Sequence, residues 1–160
     1  MKILKVAIVA LVIAVPLTAA SASNKDLLAV AAETGRSTTF LKAVEAAGLA
    51  VKLKGAGPYT LFIPSDEAFA RLGPEMMEEL LDPANKDELA AVLKAHVVPG
   101  RVTVGALGGK QVSLETAAAT DITVETHKEL RAANAKVLIS DVLASNGVIH
   151  VVDELIEPLL

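Results

Sequence analysis

The stretch Tyr59-Thr60-Leu61-Phe62-Ile63-Pro64-Ser65-Asp66-Glu67-Ala68-Phe69 joins two kinds of order in eleven residues. Tyr59 to Ile63 is a β-type run, and Pro64, which has no N–H to give a ladder, halts it. Ser65 then caps a helix, Asp66 and Glu67 place negative charge in its first turn, and Ala68, Phe69 and Leu72 face inward before Gly73. Before the run, Gly55 to Pro58 reads as a turn.

Working outward, Lys25 to Glu33 predicts a helix, and Ser37 or Thr38 is placed to cap a second one carrying Phe40, Leu41, Val44 and Ala47. Pro74 suits the first turn of a helix with Met76, Met77, Leu80 and Leu81. Asn85-Lys86-Asp87-Glu88 resembles a capping box opening a helix through Leu89, Val92, Leu93 and His96. From Val97 the period changes to two, predicting strands near Val102–Val104, Gln111–Glu115, Ile122–Thr126 and Lys136–Leu143. Asn146-Gly147, between that last run and Val148–Val152, predicts a hairpin turn with positive φ angles. Helices mostly precede strands, which favours an α+β fold over an alternating parallel one.

The N-terminus carries Lys2 and Lys5, an apolar run from Val6 to Leu17, and small residues ending at Ala20-Ser21-Ala22. That order predicts a signal peptide over 1–22, cleaved before Ser23, and one domain over 23–160. The apolar run holds Pro16 and falls short of the about 20 residues a spanning helix wants. The expected address is secreted or periplasmic, with no membrane span after cleavage. The 160-residue chain has no cysteine, so its core must hold by burial alone. Aromatics are only 2 % while apolar residues are 52 %, so the core is expected to be built from many small aliphatic groups. The net charge is −4, and −6 without Lys2 and Lys5. An acidic chain without basic clusters or stacking aromatics argues against nucleic-acid partners.

Three segments in register resemble a fasciclin-type domain: Gly57 to Phe69, Leu93 to Gly100, and Asp141 to Asp153. The resemblance implies a wedge-shaped β-sandwich with helices packed along one side. It also implies a non-catalytic module acting in adhesion to cells, matrix or surfaces, with a cell-surface or matrix protein or glycan as partner. Within that resemblance Pro64, Ser65, Asp66, Asn146, Gly147 and His150 are structural motif positions. The family's central Tyr-His pair is matched here by Ala95-His96, removing a side chain suited to anchoring an interface. An integrin-contacting motif of some animal members is matched by Ile139 to Leu143, where Asp141, Val142 and Leu143 correspond. His96, Asp141, Val142 and Leu143 are therefore the candidate binding residues. Asn24-Lys25-Asp26-Leu27-Leu28 imitates that motif at the opposite end and reads as a helix start.

Catalysis and cofactors find no local support. His96, His127 and His150 form no zinc-binding spacing, Ser65 and Asp66 are explained by capping, and Gly108-Gly109 reads as a turn. His96 is expected to be hydrogen-bonded within the domain. His150 is expected to be structural, with titration the alternative. Met76 and Met77 suit core packing or a patch on the helix edge. The rival to a binding module is an exported small-ligand carrier, for a lipid or carbohydrate, with a cleft between helices and sheet.

Overall fold

The computed structural model describes residues 24–55 and 57–156; the expected signal peptide and its cleavage point lie outside them. Tyr59–Pro64 is β1, and five of its six residues are buried, so both its faces are covered. That explains why Leu61-Phe62-Ile63 is apolar without alternation, the pattern of a strand enclosed on both sides. It pairs antiparallel with β2 (Val97–Pro99) and parallel with β7 (Gly147–Val152), itself wholly buried. The ladder continues through β6 (Ala135–Ala144), β5 (Arg131–Ala132), β4 (Asp121–Glu125) and β3 (Gln111–Glu115).

Alternation along the central strands sorts two cores. Leu61, Ile63, Ile149 and Val151 face a helical layer built from α1 (Leu27–Glu33), α2 (Thr38–Ala46) and α6 (Lys86–Ala95), with Leu27, Phe40, Val44 and Leu93. Phe62 and Val152 point the other way, onto Ile122 and Val124 of β4 and Ala132 of β5. The outer strands thus fold across the inner ones, and register shifts in β6 between Val137 and Val142 mark where the ladder bends. The result is an α+β sandwich with helices on one side. All three phenylalanines are core residues amid small aliphatic ones.

The remaining helices are α3 (Ala50–Lys54), α4 (Asp66–Ala70), α5 (Pro74–Leu81) and α7 (Val104–Leu107), with a 3₁₀ turn over Pro83–Asn85. Ser65 caps α4, its Oγ accepting from the Ala68 N–H at 3.3 Å. Asp26 likewise caps α1, accepting from Ala29 N–H at 2.9 Å.

Local rules fail at three places. Ser37 occupies the N-cap position of α2 without a capping bond; the Asp66 carboxylate accepts from Thr39 N–H at 2.8 Å instead, so α2 is capped from across the fold. Asn85 does not cap α6 either, because its amide donates to the Glu79 carbonyl at 2.8 Å. Val102–Val104 is not a strand. Thr103 accepts from Ala106 N–H at 3.3 Å and starts the short helix α7.

The hairpin expectation holds with a different turn. Ala144 pairs with Gly147, so the loop residues are Ser145 and Asn146, and neither Asn146 nor Gly147 has a positive φ. The pair is dictated by crowding. Asn146 Oδ1 accepts from Leu27 N–H at 2.9 Å, and Nδ2 donates to the carbonyls of Leu53 at 2.7 Å and Gly55 at 3.0 Å. Its backbone carbonyl accepts from Tyr59 N–H at 3.0 Å. A Cβ on Gly147 would lie 1.8 Å from the Tyr59 carbonyl oxygen, and one on Gly57 2.1 Å from the Asn146 oxygen.

Gly147→Ala should therefore cost at least about 3 kcal/mol or prevent folding, since a backbone oxygen must move. Asn146→Ala should cost about 2–4 kcal/mol by stranding three backbone groups. Urea unfolding midpoints of both variants test this; losses of about 0.5 kcal/mol, as for a surface change, would contradict the crowding account.

Candidate functional site

His96 follows the last turn of α6 and is 0 % exposed. Its Nδ1 lies 2.8 Å from the Val92 carbonyl, which can only accept, so Nδ1 carries the proton. Nε2 then accepts from Ile156 N–H at 3.0 Å. The backbone carbonyl of His96 accepts from Phe62 N–H at 2.9 Å. One residue thus ties α6, β1 and the segment after β7. Burial lowers its pKa to about 4, with the Val92 bond opposing that shift. Protonation at Nε2 would set an N–H against the Ile156 N–H.

His150 lies on β7, 2 % exposed, with its ring stacked on Phe62 at 5.2 Å. Here the tautomer is reversed. Nε2–H donates to the Val102 carbonyl at 2.8 Å, and Nδ1 accepts from Asp141 N–H at 3.2 Å. Burial lowers its pKa, against the opposing pull of the Val102 bond and the Asp141 carboxylate.

Asp141 sits in the irregular part of β6 with φ 55°, a left-handed conformation that Asp tolerates better than most residues. Its Oδ1 accepts from Val104 N–H at 2.9 Å. Asp141 and His150 are thus brought together, whereas His96 belongs to a separate place in the fold. Val142 packs half-buried against the helical core, and Leu143 is exposed. Pro64 ends β1 opposite Val152, and Ser65 N–H donates to the Val152 carbonyl at 2.9 Å. Among the described residues, no group of three or more His, Asp or Glu is placed to hold a metal ion.

An apolar groove of about 320 Å³ lies between α5, α6 and the end of the chain's last described segment. Leu72, Met76, Leu80, Val92 and Ile156 line it, with Glu79 and Glu88. Met76 is 58 % exposed, and no residue of α5 is buried. The two methionines hinted at a helix-edge patch; the acidic contribution from α6 required the tertiary arrangement. A larger depression of about 540 Å³ beside β4 and β5 is lined by charged and polar residues, Glu125, His127, Lys128, Glu129 and Arg131. It offers no comparable apolar floor.

The family model described as fasciclin domain matches residues 35–158. The chain belongs to the fasciclin domain family. Protein sll1483 of Synechocystis is 40 % identical over 140 residues, covering 88 % of this chain and 77 % of that protein. Transforming growth factor-beta-induced protein ig-h3 of Sus scrofa is 39 % identical over 122 residues, 75 % of this chain but 17 % of that longer protein. Among solved structures, a FAS1 domain pair from the insect cell adhesion molecule fasciclin I superposes with TM-score 0.67 at 18 % identity. That match covers 86 % of this chain and 51 % of the other, and it shows the fold alone. Within the matched domain both Ala95 and His96 are fully buried.

Burial of His96 and His150 predicts that this domain loses stability in acid. Unfolding returns His96 from about 4 to its ordinary 6.5, so the unfolded chain binds more protons below about pH 6.5. Stability contributed by the neutral ring is complete above pH 6.5 and is lost as pH falls towards 4, on the order of 3 kcal/mol in all. His150 contributes in the same direction. Urea midpoints should fall between pH 6.5 and 5, above the range where exposed carboxylates titrate, and fall less steeply in His96→Ala. A wild-type midpoint that stays flat across that window would contradict the lowering of the histidine pKa values by burial. His96→Ala itself should cost about 3–5 kcal/mol at pH 7 through its cavity and stranded bonds.

Proposed function

We propose that this protein is an exported, non-catalytic binding module that attaches to a cell-surface or matrix protein or glycan. The observation that carries the reading is how its polar groups are used. The ring nitrogens of His96 and His150 and the Ser65 hydroxyl are all engaged by backbone partners within the fold. These three side chains, candidates for a general base or a nucleophile, are thus committed to structure, while an apolar groove faces solvent. Membership of the fasciclin domain family, and a fold neighbour that is part of a cell adhesion molecule, support the same reading.

The groove is open and near the lower end of the about 300–1,000 Å³ typical of small-ligand sites. That favours a macromolecular partner over an enclosed lipid or sugar. Asp141 and Leu143, both exposed on β6, form a second candidate contact strip beside His150. The leader over 1–22 would deliver the domain to the periplasm or the medium, beginning at Ser23.

Two measurements check this. The chain from Ser23 onward, incubated with native envelope or matrix preparations, should co-sediment saturably; no saturable attachment would overturn the binding reading. Intact mass of the protein from producing cells should start at Ser23. An uncleaved precursor in the membrane fraction would refute export.

A further inference from the structure

The binding-module reading leaves open which face is used and for what partner, and the inference here rests on that reading. We propose that the groove between α5 and α6 docks a cationic amphipathic helix of a partner protein, its apolar stripe flanked by lysine or arginine.

The floor and the banks argue together. α5 is amphipathic in sequence, yet Met77, Leu80 and Leu81 are only half-buried and Met76 is exposed, so its apolar side is incompletely covered. Met76, Glu79 and Leu80 share one face of α5 at three- and four-residue spacing, and Glu88 and Val92 share one face of α6. Each helix therefore contributes one carboxylate and one or more apolar side chains to the same trough. Among the described residues no Lys, Arg or His lines it, and neither Glu79 nor Glu88 has an ion-pair partner.

An apolar floor with acid from both helices selects its occupant by charge. An acidic or neutral segment would leave both carboxylates uncompensated, whereas bases on either side of an apolar stripe complete them. The 8 residues of α5 span about 12 Å, roughly two turns, which suits apolar anchors at i, i+3 or i+4, and i+7. Methionine at the most exposed position lets the floor adapt to the anchor it meets.

The test uses an amphipathic helical peptide of leucine and lysine, about five turns long, and its counterpart of leucine and glutamate as probes. Fluorescence anisotropy against the chain from Ser23 onward should show binding of the basic peptide, weakened by salt, and none of the acidic one. Glu79→Lys combined with Glu88→Lys should raise Kd about tenfold or more, and Met76→Asp should do likewise. Glu115→Lys with Asp121→Lys, on the far β3–β4 pair, should leave Kd unchanged and so controls for diffuse attraction to an acidic protein. Equal binding by the groove variant, or equal binding of the acidic peptide, overturns the proposal. So does a dimer in sedimentation that the groove variant abolishes, which assigns the face to a second copy. Binding that arises only after residues 157–160 are removed would assign it to the chain's own end. Envelope attachment by the same variants separates the two readings. If wild-type attachment survives the groove variant, the groove is overturned and the binding module stands; if wild type never attaches, the module reading itself falls.

Discussion

The amide of Asn146 bridges three backbone segments that the chain order keeps far apart. It accepts from the first turn of α1 and donates to two carbonyls at the end of α3, one of them 93 residues away. Its own carbonyl starts the parallel pairing of β1 with β7 through Tyr59. Parallel neighbours cannot be joined by a tight turn, so some long-range contact must set their register. Here the register is set where two backbones pass too closely for any Cβ, at Gly57 and Gly147. A one-residue slip between the two strands would put Leu61 and Ile63 on the face opposite Ile149 and Val151, and only one pair could then serve the helical core. The junction therefore decides which side of the sheet each side chain serves.

From that junction β7 runs to His150 and on towards Ile156, and both buried histidines act on the consequences. His150 holds the 102 carbonyl and the bent part of β6 against the Phe62 face. His96 receives the Ile156 N–H, fixing the segment after β7 against α6. Ile156 is also a wall of the acidic groove. A residue with no exposed surface thus shapes a groove open to solvent, by fixing the backbone that carries its wall.

Much of this was legible because it follows local rules. Tyr59 to Phe69 combines a β-type run, a proline stop and a serine cap, each readable within five residues. Gln111–Glu115 alternates because only one of its faces is covered. What escaped was set by distant partners. Asp66 displaces Ser37 as the cap of α2, and Tyr59 rather than turn geometry demands Gly147. β5, two residues long, carries too little pattern to announce itself. Of the candidate site, the embedding of His96 follows the expectation of a hydrogen-bonded core histidine. The groove needed α6 to bring Glu88 beside α5, which no periodicity within either helix encodes.

Ala95, which the resemblance sets against a tyrosine before His96, takes on a different meaning once its place is known. As a sequence change it removes an amphipathic ring, the kind of side chain that anchors interfaces. In the fold Ala95 has no exposed surface, so its side chain is surrounded by protein. A ring there would have to be accommodated by the interior, and overpacking a fitted core typically costs about 1–3 kcal/mol. The substitution therefore bears first on how the end of α6 packs, and only through that on any partner. The same holds for His96, whose polarity is spent on Val92 and Ile156. Any contact made by α5 and α6 must then come from side chains that the packing leaves outside, among them Met76, Glu79 and Glu88.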